Sequence, residues 1–235
     1  MTVNGGCSKP VTSSQEGPHP NLVELVNRHR RHAYQKPVAD HGRAAFDEVA
    51  HQVSPLNTPL ILDSGCGTGE STHALARSYP DHFIIGVDKS VHRLSKEGRA
   101  RLPENAALIR ADLTDFYRLA AAEGWQLSRH FILYPNPWPK PGHLMRRWHG
   151  SPVFPDMIAL GGRIELRTNW KTYAEEFRIA LAEYDIPSTL ERLEPQGDHL
   201  TLFERKYASS GQVLYCVAAI AGSRQSSLGR SPYTA

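Results

Sequence analysis

Cysteine is scarce in this chain. Cys7, Cys66 and Cys216 are far apart and odd in number among 235 residues, and no C-x-x-C pair occurs. That excludes a disulfide framework and the usual structural zinc spacing. The histidines do not restore a metal site, because His29/His32 and His143/His149 lack carboxylate or cysteine partners at ligand spacing. Long apolar runs are also missing: none approaches the roughly 20 residues of a membrane-spanning helix. The N-terminus lacks the basic-then-apolar order of a secretory signal. A reducing, cytoplasmic setting with no membrane partner is therefore expected. Neither sign of charge dominates, with 27 Lys and Arg against 24 Asp and Glu and a net charge of +3. That slight basic excess does not by itself imply a nucleic-acid partner. No G-K-[ST] occurs after the glycine-rich stretch, which excludes a phosphate-gripping P-loop. Ser64 is not in a G-x-S-x-G elbow, and no nearby histidine activates Cys66.

What is present is concentrated in residues 60–88. The apolar run Leu60-Ile61-Leu62 ends in Asp63, and Gly65, Gly67 and Gly69 follow at alternate positions. A helical segment comes next, and then a second apolar run ending in Asp88. This order lays a nucleotide-like ligand across the carboxyl ends of two parallel strands. Glycines allow close backbone approach, and the helix starting near Glu70 would aim its amides and positive dipole end into the same crevice. Asp88 is placed to accept hydrogen bonds from ribose hydroxyls. The spacing G-x-G-x-G, with acids at Asp63 and Asp88, suits an amino group and hydroxyls better than a pyrophosphate. S-adenosylmethionine fits that description. The stretch resembles motifs I and II of the Rossmann-like methyltransferases. A third strand ends at Asp112, which either reads the adenine amino group or caps the following helix.

The rest of the chain alternates. Strands are predicted at 60–64, 83–88, 107–110, 130–134 and 162–168, and helices at 70–78, 90–100, 114–123, 152–159 and 171–184. Such alternation predicts an α/β fold, a Rossmann-like doubly wound and mostly parallel sheet. Runs at 199–206 and 212–221 read as an antiparallel C-terminal hairpin. Residues 1–20, rich in Gly, Ser, Pro and Thr, read as disordered, and 223–235 as a flexible tail. Between them, 21–222 reads as a single domain. Residues 21–58 form a helical extension broken near Lys36-Pro37, whose second helix places Ala44, Ala45, Val49 and Val53 near one face. Glu175 and Glu176 read as a solvated helix face.

A second signal lies at 131–148, FILYPNPWPKPGHLMRRW. Three prolines, Pro135, Pro137 and Pro139, stop both helix and ladder growth at the carboxyl end of the fourth strand, where open α/β sheets bind ligands. Lys140, His143, Arg146 and Arg147 follow between Trp138 and Trp148. Cations flanked by aromatics hold phosphates and stack on bases, so RNA contact is expected.

Here the chain resembles the tRNA (guanine-N7)-methyltransferase family. The likeness rests on YPNPWPK with His143 and Arg146-Arg147, on Thr168-Asn169-Trp170 with Tyr173-Ala174, and on Thr201-Leu202-Phe203-Glu204 followed by Arg205-Lys206. It covers roughly residues 59–206, and NAALIRAD at 105–112 adds to it. The resemblance implies S-adenosylmethionine as donor and guanine N7 of tRNA as acceptor; the oligomeric state is left open between monomer and homodimer. It implies that Asp63, Gly65, Gly67, Gly69, Asp88 and Asp112 bind the cofactor. Asn136 would take the catalytic-loop position, with Glu204 as a second catalytic group. Trp138, Lys140, His143, Arg146, Arg147, Asn169 and Thr201 would contact the substrate. Asn136 and Asn169 stand where the family motif has aspartates. Those amides leave two alternatives open: methylation of a small nitrogen heteroaromatic, and a non-catalytic RNA-binding protein with a methyltransferase fold.

Overall fold

Seven strands form one sheet in the order β3-β2-β1-β4-β5-β7-β6. The computed structural model describes residues 8–94, 102–194 and 199–222. In chain order, the elements before the sheet are α1 (Leu22–Arg31) and α2 (Asp40–Val53). Then come β1 (Leu60–Ser64), α3 (Glu70–Ser78), β2 (Phe83–Asp88), α4 (Val91–Leu94) and β3 (Ala106–Arg110). They are followed by α5 (Leu113–Ala122), β4 (Leu127–Leu133), α6 (Phe154–Ala159), β5 (Gly162–Thr168) and α7 (Lys171–Ala182). The chain closes with β6 (Ser188–Leu193), α8 (Leu202–Ser209) and β7 (Leu214–Ala221). Strands β1 to β5 pair in parallel, and β7 runs antiparallel to both β5 and β6.

Every residue of β1 and β2 is buried, as expected of central strands covered on both faces. Leu62 and Ile85 enter the larger core with α1, α2, α5, α6 and α7. Ile61 and Ile84 point the other way, against Leu75 and Ala76 of α3. The strand order reverses at β1, which lies between β2 and β4. That is where α/β sheets open a ligand crevice outside the carboxyl ends of the strands.

Four sequence expectations change. The run at 199–206 is not a strand. Thr201 accepts a hydrogen bond from the Glu204 amide at 2.9 Å and starts α8 instead. The Thr-x-x-Glu spacing is a helix-start signature that outweighs the β-favouring Leu202 and Phe203. Beside β5, the antiparallel partner of β7 is β6. On α2 the buried face is Gly42, Phe46, Val49 and Val53, while Ala44 is exposed. Phe46 anchors that face, with ring centroids 5.4 Å from Phe116 and 5.0 Å from Trp125. Residues 8–20, whose composition suggests disorder, lie against the body of the protein. Ser8 bonds Ser210, Ser13 bonds the Pro139 carbonyl, and Val11 packs on the core. The expectations for residues 1–7, for the end of the 90–100 helix beyond Leu94, and for 223–235 fall outside the described residues.

Candidate active site

The donor side of the crevice is built by the β1–α3 turn. The amides of Gly65 and Cys66 donate to the Val87 carbonyl, at 2.8 and 3.1 Å, and tie the turn to the end of β2. Gly65 and Gly67 sit at φ +77° and +61°, where a side chain is strained, and a Cβ on either would meet nothing within 4 Å. Both line the cleft, so their bare backbone leaves a cradle that side chains would fill. Gly69 has a different task. It precedes α3 at φ +85°, and a Cβ there would come within 2.8 Å of Leu108, so it serves close packing rather than the cleft.

The acids divide in the same way. Asp88 lines the cleft; its Oδ2 accepts from the Gly67 amide at 3.1 Å and its Oδ1 from the Ser90 amide at 2.8 Å. Asp112 also lines the cleft, and its Oδ1 caps α5 by accepting from Thr114 N at 2.8 Å. The capping reading of Asp112 is thus observed, and the same residue also borders the cleft. Asp63 does not reach the cleft lining. It is buried beneath the turn and accepts from Ser71 Oγ at 2.6 Å and Thr72 Oγ1 at 2.8 Å. Burial pushes its carboxyl up to about 6; the two hydroxyl bonds oppose that shift, and nearby Asp88 adds to it.

On the acceptor side, β4 runs into the proline loop. Tyr134 and Trp138 take left-handed φ values of 51° and 45°, which are unusual for aromatic residues. Tyr134 is held there by its amide bond to the Arg167 carbonyl at 2.8 Å. Asn136 is exposed, and its Oδ1 accepts from the Trp138 amide at 3.3 Å. The Arg146 guanidinium lies over the Trp138 ring at 4.7 Å. Glycine cradle, Asp88, Asp112, Asn136, Trp138 and Arg146 all face one cleft of about 680 Å³.

A family model described as "Putative methyltransferase" matches residues 57–217. A tRNA (guanine-N7)-methyltransferase of Thiobacillus denitrificans is 32% identical over 222 residues, covering 88% of this chain and 93% of that protein. One from Geobacillus thermodenitrificans is 27% identical, covering 75% and 86%. The chain belongs to the tRNA (guanine-N7)-methyltransferase family. Among solved structures, an antibiotic-related methyltransferase is 14% identical with a TM-score of 0.54, covering 80% of this chain and 96% of that one. The 16S rRNA (adenine(1408)-N(1))-methyltransferase of Catenulisporales acidiphilia is 16% identical with a TM-score of 0.53, covering 78% and 94%. At those identities the likeness shows the fold alone.

Several residues implied by the family motifs lie elsewhere than expected. Arg147 is fully buried and cannot touch RNA. It pairs with Glu176 at 2.6 Å, and its guanidinium lies over the Trp170 ring at 4.8 Å. Glu176 is itself fully buried, not on a solvated face. Lys140 and His143 follow the proline loop but are not part of the cleft lining. Asn169 is also outside the lining, with its amide donating to Gln212 Oε1 at 2.8 Å. Thr201 lines the cleft while capping α8. Glu204 stands behind the cleft wall, 2% exposed, accepting from Tyr134 OH at 3.1 Å and paired with Arg167 at 2.9 Å. With its charge committed to Arg167, it reaches the cleft only through Tyr134.

Leu202, Phe203, Lys206 and Met145, to which the motifs assign no site role, also line the cleft. Phe203 and Tyr207 stack with centroids 6.0 Å apart. Their spacing of four residues is a helical signal that a strand over 199–206 does not use.

Proposed function

We propose that this protein transfers a methyl group from S-adenosylmethionine to N7 of a guanine in tRNA, acting through the single unit of residues 21–222. The observation that carries the reading is the shared cleft. The glycine cradle and Asp88 form one wall, and the Asn136–Trp138–Arg146 loop forms the other. The donor wall suits S-adenosylmethionine. Bare glycine backbone admits a close-lying ligand, and Asp88 offers a buried carboxylate to ribose hydroxyls beside the start of α3. When bound, the cofactor supplies an electrophilic methyl group.

The chain's own work is then positioning. Guanine N7 carries an exposed lone pair and is a hydrogen-bond acceptor, so no base need remove a proton before attack. The residues present match that requirement. Asn136 is neutral, and burial together with Glu204 pushes the Tyr134 phenol far up, so it stays protonated. Asn136 orients the base edge by hydrogen bonding, and Tyr134, Trp138 and Phe203 offer faces on which an extruded base stacks. Arg146 and Lys206, both exposed at the cleft, hold the phosphate backbone. A small heteroaromatic acceptor would leave these rim cations without an anionic partner, which favours tRNA over that alternative. Among the described residues no helix is long and apolar enough to cross a membrane. A cytoplasmic location follows from the proposed substrate.

The test is direct. Incubated with labelled S-adenosylmethionine and unmodified tRNA, the protein should place label in 7-methylguanosine after nucleoside digestion. Label in another nucleoside, or none, would overturn the reading.

A further inference from the structure

Arg147 and Glu176 contact neither cofactor nor base in this reading, yet they are among the most thoroughly satisfied groups in the protein. Glu176 Oε2 accepts from Arg147 Nη1 at 2.6 Å and pairs with His149 Nε2 at 2.8 Å. Its Oε1 accepts from Gln15 Nε2 at 2.7 Å and from the His19 amide at 2.9 Å. Arg147 donates to the Trp138 carbonyl through Nε at 3.2 Å and Nη2 at 3.1 Å, and to the Lys140 carbonyl at 3.3 Å. Its Nη2 also donates to Gln15 Oε1 at 3.0 Å. Gln15 thus bridges both charged partners, its amide oxygen toward the guanidinium and its nitrogen toward the carboxylate. Ser13 Oγ adds a bond to the Pro139 carbonyl at 2.5 Å.

Three carbonyls of the proline loop, those of Trp138, Pro139 and Lys140, are therefore held by this network. The loop needs such support. Its aromatic residues Tyr134 and Trp138 occupy left-handed backbone conformations that persist only where the surroundings over-determine them. We propose that residues 8–20 form a strap that positions the acceptor loop, with Gln15 and Glu176 as positioning residues acting through Arg147. The proposal rests on the reading of the cleft as the methyl-transfer site, and it adds a device for presenting Asn136, Trp138 and Arg146 to the acceptor. The strap lies outside the cleft lining, so it acts on the loop without touching the donor.

Gln15→Ala in the full chain tests this. Gln15 is neutral and only half-buried, so the substitution spares the core. Amide hydrogen exchange across 134–147 should speed up by about tenfold or more while α3 and β1 keep their protection. Affinity for S-adenosylmethionine should change by less than about twofold, and kcat on tRNA should fall by about tenfold with little change in tRNA affinity. Loop exchange that stays at the parent rate overturns the strap, even in an active enzyme. So does faster loop exchange with an unchanged kcat. The exchange measurement needs no methyl transfer. Faster loop exchange in a protein that methylates no tRNA would therefore count against the proposed function and not against the strap's hold on the loop. Glu176→Gln provides a second variant that keeps the shape, with the same exchange pattern expected.

Discussion

The two walls of the cleft are each underpinned by a buried carboxylate, and the two are held in opposite ways. Among the described residues Asp63, under the donor turn, has only hydroxyl partners, Ser71 and Thr72, and its Oδ1 has none. Burial lifts it to about 6. Glu176, under the acceptor loop, is met by a guanidinium, an imidazole, an amide side chain and a backbone amide. Burial alone would raise it as well, but His149 and Arg147 bring it down to about 2. The donor turn gets its shape from glycine backbone geometry and needs little electrostatic help. The acceptor loop forces bulky residues into left-handed conformations and is fixed by a dense ionic network.

The largest break in this comparison should come from Glu176→Ala. It leaves the Arg147 guanidinium buried without its counter-charge, and chemical denaturation should show a loss of about 3–5 kcal/mol. Glu176→Gln, which keeps the shape, should cost less. Next come the opposite pH dependences. Glu176 titrates lower in the folded state than its ordinary 4.5, so its stabilisation is present above that value. As pH falls from 4.5 toward about 2, roughly 3 kcal/mol should be lost. Asp63 titrates higher when folded, so its share of stability is greatest below 3.8 and is lost as pH rises through about 6. Asp63→Asn should remove that decline, again roughly 3 kcal/mol, while leaving the acid limb intact. Denaturation midpoints of parent and variant from about pH 2 to 8 would separate the two.

A smaller effect falls on function. Asp88→Ala removes a charged acceptor from the donor wall and should weaken S-adenosylmethionine binding by about 1.5–3 kcal/mol in calorimetry, with tRNA affinity unchanged. The smallest belongs to Arg146, the exposed neighbour of buried Arg147. Arg146→Ala should leave stability alone and reduce the slope of log affinity for tRNA against log salt by about 1. Gel retardation across a salt series would measure it.

What could be read from the sequence follows the range of the interactions involved. The β1–glycine–α3–β2–Asp88 unit was legible because its turn is closed by local backbone bonds and a residue about 20 positions on. The parallel strands announced themselves by unbroken apolar runs. β6 did not, because its residues STLERL are half exposed and carry no such run. Arg146 and Arg147 are neighbours with the same chemistry. Only the 3₁₀ turn at Pro141–Arg146 and contacts from α7 and the strap decide which one faces solvent. Glu175 and Glu176 are separated by the same kind of long-range packing. Gln15 had no signal for its role, since the charged partners it bridges lie 132 and 161 positions away.

The central claim, that this cleft delivers a methyl group to the N7 lone pair of guanine, can be tested by removing the acceptor atom. With matched tRNA transcripts, one carrying guanosine and one carrying 7-deazaguanosine, the protein should retard both equally and transfer labelled methyl to the first alone. Equal labelling of both transcripts, or labelling of neither, would contradict the account.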